Sequence, residues 1–130
     1  MTATDHAVEL VRTASIAAAD KLATDQLAFD VSEQLAITDA FLLASGANDR
    51  QVRAIVEEVE DQLREQHGAK PVRREGHRDG RWVLLDYGDV VIHVQHTEER
   101  QFYALERLWR DCPAIELPLE VTDPAAARQQ

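Results

Sequence analysis

The residue types best suited to chemistry gather in one short stretch, GRWVLLDYGDVVIHV (80–94), which carries Asp86, Asp89 and His93. Two carboxylates beside an imidazole could share a proton or hold a divalent metal. The spacing argues for something plainer. Asp86 and Asp89 flank Tyr87-Gly88, a pair that reads as a two-residue hairpin turn with glycine free to take a positive φ. Aspartate is common beside turns because its side chain accepts backbone N–H groups, and two carboxylates on an exposed turn repel each other. Other signals for catalysis or metal are weaker. His93 and His96 form H-x-x-H on a strand and its exit, a spacing that sends the rings to opposite faces and disfavours shared zinc ligation. His67 and His77 fall in loops. The single cysteine, Cys112, excludes an intramolecular disulfide and a cysteine-built zinc site, and RDCPAI offers it no activating neighbour. ASGANDRQV has one glycine and matches neither the Walker pattern nor the three-glycine dinucleotide pattern. The residues therefore assign no catalytic group, cofactor or metal.

A hairpin turning at Tyr87-Gly88 pairs Asp86 with Asp89, Leu84 with Val91 and Trp82 with His93. Side chains alternate along strands, so Trp82, Leu84, Val91 and His93 share one face, and Val83, Leu85, Val90 and Ile92 share the other. The plain aliphatic face is the better core. The face with tryptophan and histidine is either covered by another element or exposed as a contact patch, where aromatic residues bury much area at little rotamer cost.

The rest of the chain must position this hairpin. Residues 5–23 read as a helix, with Val8, Val11, Ser15, Ala18 and Leu22 along one side. QLAFDV (26–31) reads as a strand, SEQLAI as a turn, and DAFLLAS (39–45) as a strand buried on both faces. A second helix starts at Asn48 or Asp49 and closes at Gly68, with Val52, Ile55, Val56, Val59 and Leu63 as its apolar stripe. Its opposite side is acidic and solvated. After Pro71, VRREG reads as a short strand near a sheet edge. TEERQFYALERLWRDCP reads as a third helix, with Phe102, Leu105 and Trp109 on one side and Pro113 at its end. The order α-β-β-α-β-β-β-α predicts a single α/β sandwich with a mixed five-stranded sheet over residues 1–113. Residues 114–130 read as a disordered tail.

Whole-chain properties narrow the function. At 130 residues, 45% hydrophobic, the chain is long enough for one packed core. Its apolar runs fall short of the ~20 residues needed to cross a bilayer, and Asp5 and Glu9 sit where a signal peptide would be basic. A cytoplasmic protein is expected. The formal net charge of -10 opposes nucleic-acid binding, which needs a positive field, and favours docking to a basic protein.

Three segments together resemble the Iojap-like ribosomal silencing factor family: ITDAFLLASGANDRQVRAI, REGHRDGRWVLLDYGDVVIHV and RQFYALERLWRDCP. The combination of W-x-L-x-D-x-G-D-x-x-x-H with R-x-F-Y-x-L-E-x-L-W is specific, and the match runs from about Val8 to Pro113. The resemblance implies a nucleotidyltransferase-like α/β fold without catalytic carboxylates. It implies binding to the large ribosomal subunit through ribosomal protein fourteen, blocking the small subunit from joining and lowering translation when nutrients are short. Organelle relatives imply an alternative role in large-subunit assembly, and the fold relationship a less favoured one as a nucleotidyltransferase-type enzyme. The family's contact surface falls here on Trp82, His93 and Tyr103. With their neighbours in the hairpin the expected partner-binding set is Trp82, Leu84, Asp86, Asp89, Val91, His93 and Tyr103. Off the ribosome the same face could pair two copies of the chain. Two departures from the family pattern are Gln95, where many members are apolar, and Ala40, where many carry Cys or Tyr.

Overall fold

A computed structural model describes residues 2–122. Helix α1 (Asp5–Asp20) starts at Thr4, whose hydroxyl accepts the Ala7 N–H at 3.1 Å. It buries Leu10 and Val11 together with Ala7, Ala14, Ala17 and Ala18, alanines that let the helix lie close to the sheet. The expected stripe continues to Leu22, but the helix stops at Asp20. Leu22 adopts φ 63° and is exposed, so the chain has already turned towards the sheet.

Strands β1 (Thr24–Asp30) and β2 (Ala40–Gly46) are antiparallel, and β2 is buried along its whole length as its continuous apolar run predicts. Helix α2 (Asp49–His67) follows, and His67, expected in a loop, is its last residue. The Asn48 side chain accepts the Gln51 N–H, Gly68 closes the helix at φ 63°, and the expected stripe from Val52 to Leu63 is buried. Strands β3 (Arg73–Glu75), β4 (Trp82–Asp86) and β5 (Val90–His96) complete a sheet of order β1-β2-β5-β4-β3. Only β2 and β5 run parallel. The architecture is the single-domain α/β sandwich with a mixed five-stranded sheet read from the sequence, and β3 lies at the edge as expected. No described helix is long and apolar enough to cross a membrane.

The two sheet faces have different chemistry. Against α1 and α2 lie Ala28, Leu42, Ala44, Val83, Leu85, Val90, Ile92 and Val94, an aliphatic layer. The opposite face carries Phe29, Phe41 and Leu43, packed against Leu35, Val91, Leu105, Trp109 and Cys112.

Three expectations are corrected. The hairpin turns one residue later: the Tyr87 N–H donates to the Val90 carbonyl, leaving Gly88 (φ 84°) and Asp89 as the central pair. The register moves by two accordingly. Leu84 pairs with His93, Trp82 with Gln95 and Asp86 with Val91. A shift of two keeps every side chain on its expected face.

The third helix is also shorter. Helix α3 (Thr97–Tyr103) ends where Ala104 enters the left-handed region at φ 45°, and a 3-10 turn (Leu105–Arg107) redirects the chain. Phe102 is therefore exposed while Leu105 and Trp109 pack on the sheet. Finally, residues 114–122 are not a free tail. Ile115 N–H donates to the Ala28 carbonyl, Asp30 N–H donates to the Pro113 carbonyl, and Ala114 bridges Phe29. Leu117 is buried in the main core, and a short helix α4 (Leu119–Thr122) lies against α1. The rest of the expected tail, 123–130, lies outside the described residues.

Candidate docking site

Strand alternation sends Trp82, Leu84 and Asp86 from β4, and Val91, His93 and Gln95 from β5, to the face turned away from α1 and α2. Neighbouring β2 adds Phe41 and β3 adds Arg73. Trp82 and His93 are diagonal rather than directly opposed, yet they meet: the indole Nε1–H donates to His93 Nδ1 at 3.1 Å. Phe41 stands edge-on to His93 with centroids 5.6 Å apart, and Trp109 stands edge-on to Phe41 at 5.0 Å. On the other side Tyr103 lies 4.9 Å from Trp82, and Phe102 lies 5.0 Å from Tyr103. The rings Trp109, Phe41, His93, Trp82, Tyr103 and Phe102 thus form one row across the sheet. Edge-on pairs such as Phe41–His93 and Phe41–Trp109 add to simple area burial, while both Trp82 contacts are tilted.

Alongside the row is a groove of about 350 Å³ lined by Leu35, Ile37, Leu84, Val91, Leu105 and Leu108 together with the rings of Phe41, Trp82, His93 and Trp109. Ile37 is 85% exposed and Leu108 72% exposed, so two large aliphatic side chains project beside it into solvent. The polar rim is an ion pair, Arg73 to Asp86 at 3.7 Å.

What builds the far wall is Arg100. Nearly buried, its guanidinium donates to Ser45 Oγ at 3.0 Å on β2 and to Glu106 at 2.8 Å. The first bond ties α3 to the sheet and the second ties it to the 3-10 turn after Ala104, from which Trp109 reaches Phe41. On the exit of β5, Arg81 reaches Glu98 at 3.1 Å and also Glu99, whose carboxyl it holds below the usual range. His96, Glu98 and Glu99 place ligand-type atoms within 4.8 Å of one another. Both carboxylates already face Arg81, and His96 Nδ1 accepts the Glu98 N–H as the α3 cap.

Of the residues expected at the site, Trp82, Leu84, Asp86, Val91 and His93 line the groove, and Tyr103 extends it along Trp82. Asp89 does not join them. It sits exposed in the turn, where its carbonyl accepts the Asp39 and Ala40 N–H groups. Nor does Asp86 form a catalytic pair with it, because one Asp86 oxygen accepts the Gly88 N–H at 2.8 Å and the other faces Arg73. His93 is buried, and the loss of solvent pushes its imidazole down to about 4, so the ring is neutral at physiological pH. Sequence reasoning missed Ile37, Phe41, Arg73 and Leu108 as groove residues. For Phe41 alternation in β2 carried the signal, since it is out of phase with Leu42. Ile37 lies in an irregular segment where no periodicity applies.

The arrangement is an apolar groove backed by an aromatic row, with one ion pair on its rim. Residues 4–130 match the family described as "Ribosomal silencing factor during starvation". A Bacillus subtilis protein named ribosomal silencing factor RsfS is 43% identical over 108 residues, spanning 83% of this chain and 91% of that protein. The chloroplastic protein Iojap of Arabidopsis thaliana is 34% identical over 114 residues, 88% of this chain and 45% of that protein. Among solved structures, a Chromobacterium violaceum protein superposes with a TM-score of 0.74 at 37% identity, covering 78% of this chain and 83% of that one. A Bacillus halodurans protein does so with a TM-score of 0.73 at 41% identity, covering 84% and 98%.

Proposed function

Because this chain belongs to the family of ribosomal silencing factors, we propose that it docks on the large ribosomal subunit through ribosomal protein fourteen and so blocks the small subunit from joining. The observation that carries the reading is the groove beside the aromatic row. Exposed Ile37 and Leu108, beside a tryptophan held by two ring neighbours and a hydrogen bond, are what a protein partner needs: apolar area and an anchor that loses little entropy on binding. No step of this function requires bond chemistry. Occlusion requires only an interface of ordinary size, roughly 1,200–2,000 Å². The contact set is Trp82, Leu84, Val91, His93 and Tyr103, with Asp86 at the rim.

The charge supports the same partner class. A chain at -10 is drawn to a basic ribosomal protein and repelled by exposed RNA. The test is co-sedimentation with purified large subunits. Trp82→Ala is expected to remain folded and to bind about 30-fold more weakly, the loss typical of an anchoring aromatic. A folded Trp82→Ala that pellets with large subunits as well as the wild type would place the contact elsewhere.

A further inference from the structure

The two ring nitrogens of His93 meet different surroundings. Nδ1 receives the Trp82 Nε1–H at 3.1 Å. An indole N–H can only donate, so Nδ1 is the unprotonated nitrogen and the neutral ring carries its proton on Nε2. No described residue accepts from Nε2, and this atom is not among the polar atoms sealed from solvent. His93 lines the groove with Phe41, Leu84, Val91 and Trp109, and the acceptors in that lining, Thr38 and Asp86, make no hydrogen bond to it; the Asp86 oxygens serve the Gly88 N–H and Arg73. A partner seated there shuts this donor away from solvent. Left unmet, that donor would weaken binding about tenfold or more.

We infer that Trp82 is a positioning residue that locks His93 with its proton on Nε2, and that the docked protein places an uncharged carbonyl oxygen on that proton. The inference rests on the groove being the ribosome-facing surface. The acceptor is uncharged because a carboxylate would lose its water against apolar walls with no free cation opposite it among the described residues. Arg73, the cation on this rim, already faces Asp86 and Glu75. The pair therefore reads the partner's shape and the position of one carbonyl.

The experiment uses the full chain with ¹⁵N-labelled histidines, long-range ¹H–¹⁵N correlation at pH 7, and binding to purified large ribosomal subunits. Wild-type His93 is expected to show an unprotonated Nδ1 and a protonated Nε2. Trp82→Phe keeps a ring but loses the N–H, so the Nδ1 signal should move towards an exchange-averaged position while binding weakens several-fold. His93→Gln places an amide N–H near the Nε2 position and should bind within about threefold of wild type, whereas His93→Leu should lose about tenfold or more. Equal urea midpoints for the two His93 variants make that comparison one of binding. A wild-type ring protonated on Nδ1, or a His93→Leu protein that binds as well as wild type, overturns the inference while leaving the docking site intact. Wild-type protein that shows the expected ring but fails to bind large subunits overturns the docking reading, and the assigned acceptor with it.

Discussion

Packed between Phe41 and Trp82, the His93 imidazole is held down from its ordinary 6.5 to about 4 by burial. An unfolded chain takes up a proton as pH falls through 6.5, while the folded chain does not until about 4. Stability from this group is thus full above 6.5 and is lost as pH falls towards 4. Between pH 7 and 5 the wild type should lose about 2 kcal/mol that His93→Gln does not lose, measured by urea unfolding of both proteins at both pH values. Gln95 poses the opposite problem. It is fully buried, and neither its Nε2 nor its Oε1 has a partner among the described residues. Gln95→Leu should therefore raise stability by about 1–3 kcal/mol in the same unfolding assay. Strict alternation made the faces of Trp82 and His93 legible from sequence, even with the register misjudged by two. It placed Gln95 on the same face but could not reveal that the amide would be sealed there, because that depends on the neighbours folded over it.

Where α3 ends, Ala104 holds φ 45° and ψ 52°, a conformation that costs an alanine about 1–2 kcal/mol and a glycine little. Ala104→Gly is expected to raise the unfolding free energy by about 1 kcal/mol without moving Trp109. This break was invisible in the sequence. Residues 97–110 include good helix formers, and only the tertiary bonds of Arg100 to Ser45 and Glu106 explain why the chain departs from a continuous helix. The segment after Pro113 was misread for a related reason. Its alternation of Ile115 and Leu117 is too short to register as a strand, yet it supplies the Ile115 N–H to the Ala28 carbonyl, beside the Asp30 bond to Pro113, and a buried leucine. Leu117→Ala should cost about 2–5 kcal/mol, and a chain ending at Pro113 should unfold at still lower denaturant. By contrast α2 was legible from cap to cap, since Asn48, the apolar stripe and Gly68 all favour the same helix.

Taken as one charged body, the chain meets its proposed partner first through long-range attraction. Raising salt from about 50 to 500 mM shortens the Debye length several-fold, so the association rate with the basic ribosomal protein should fall about tenfold or more while the dissociation rate changes little. Stopped-flow mixing at the two ionic strengths reads both. Fold class was legible at this scale because binary patterning, helix caps and the doubly apolar β2 were consistent with one another. The groove was not, since its walls come from segments far apart in the chain that only folding brings together. The sheet itself sets a last limit on what the molecule can build. On one side 113–115 is stitched along Ala28–Asp30, and the rest of β1 is offset by an irregular register. On the other, β3 is three residues of Arg and Glu, all exposed. With both selvedges finished in this way, further copies have no raw margin on which to continue the weave. Copies of the chain can therefore crowd together without knitting edge to edge into fibres.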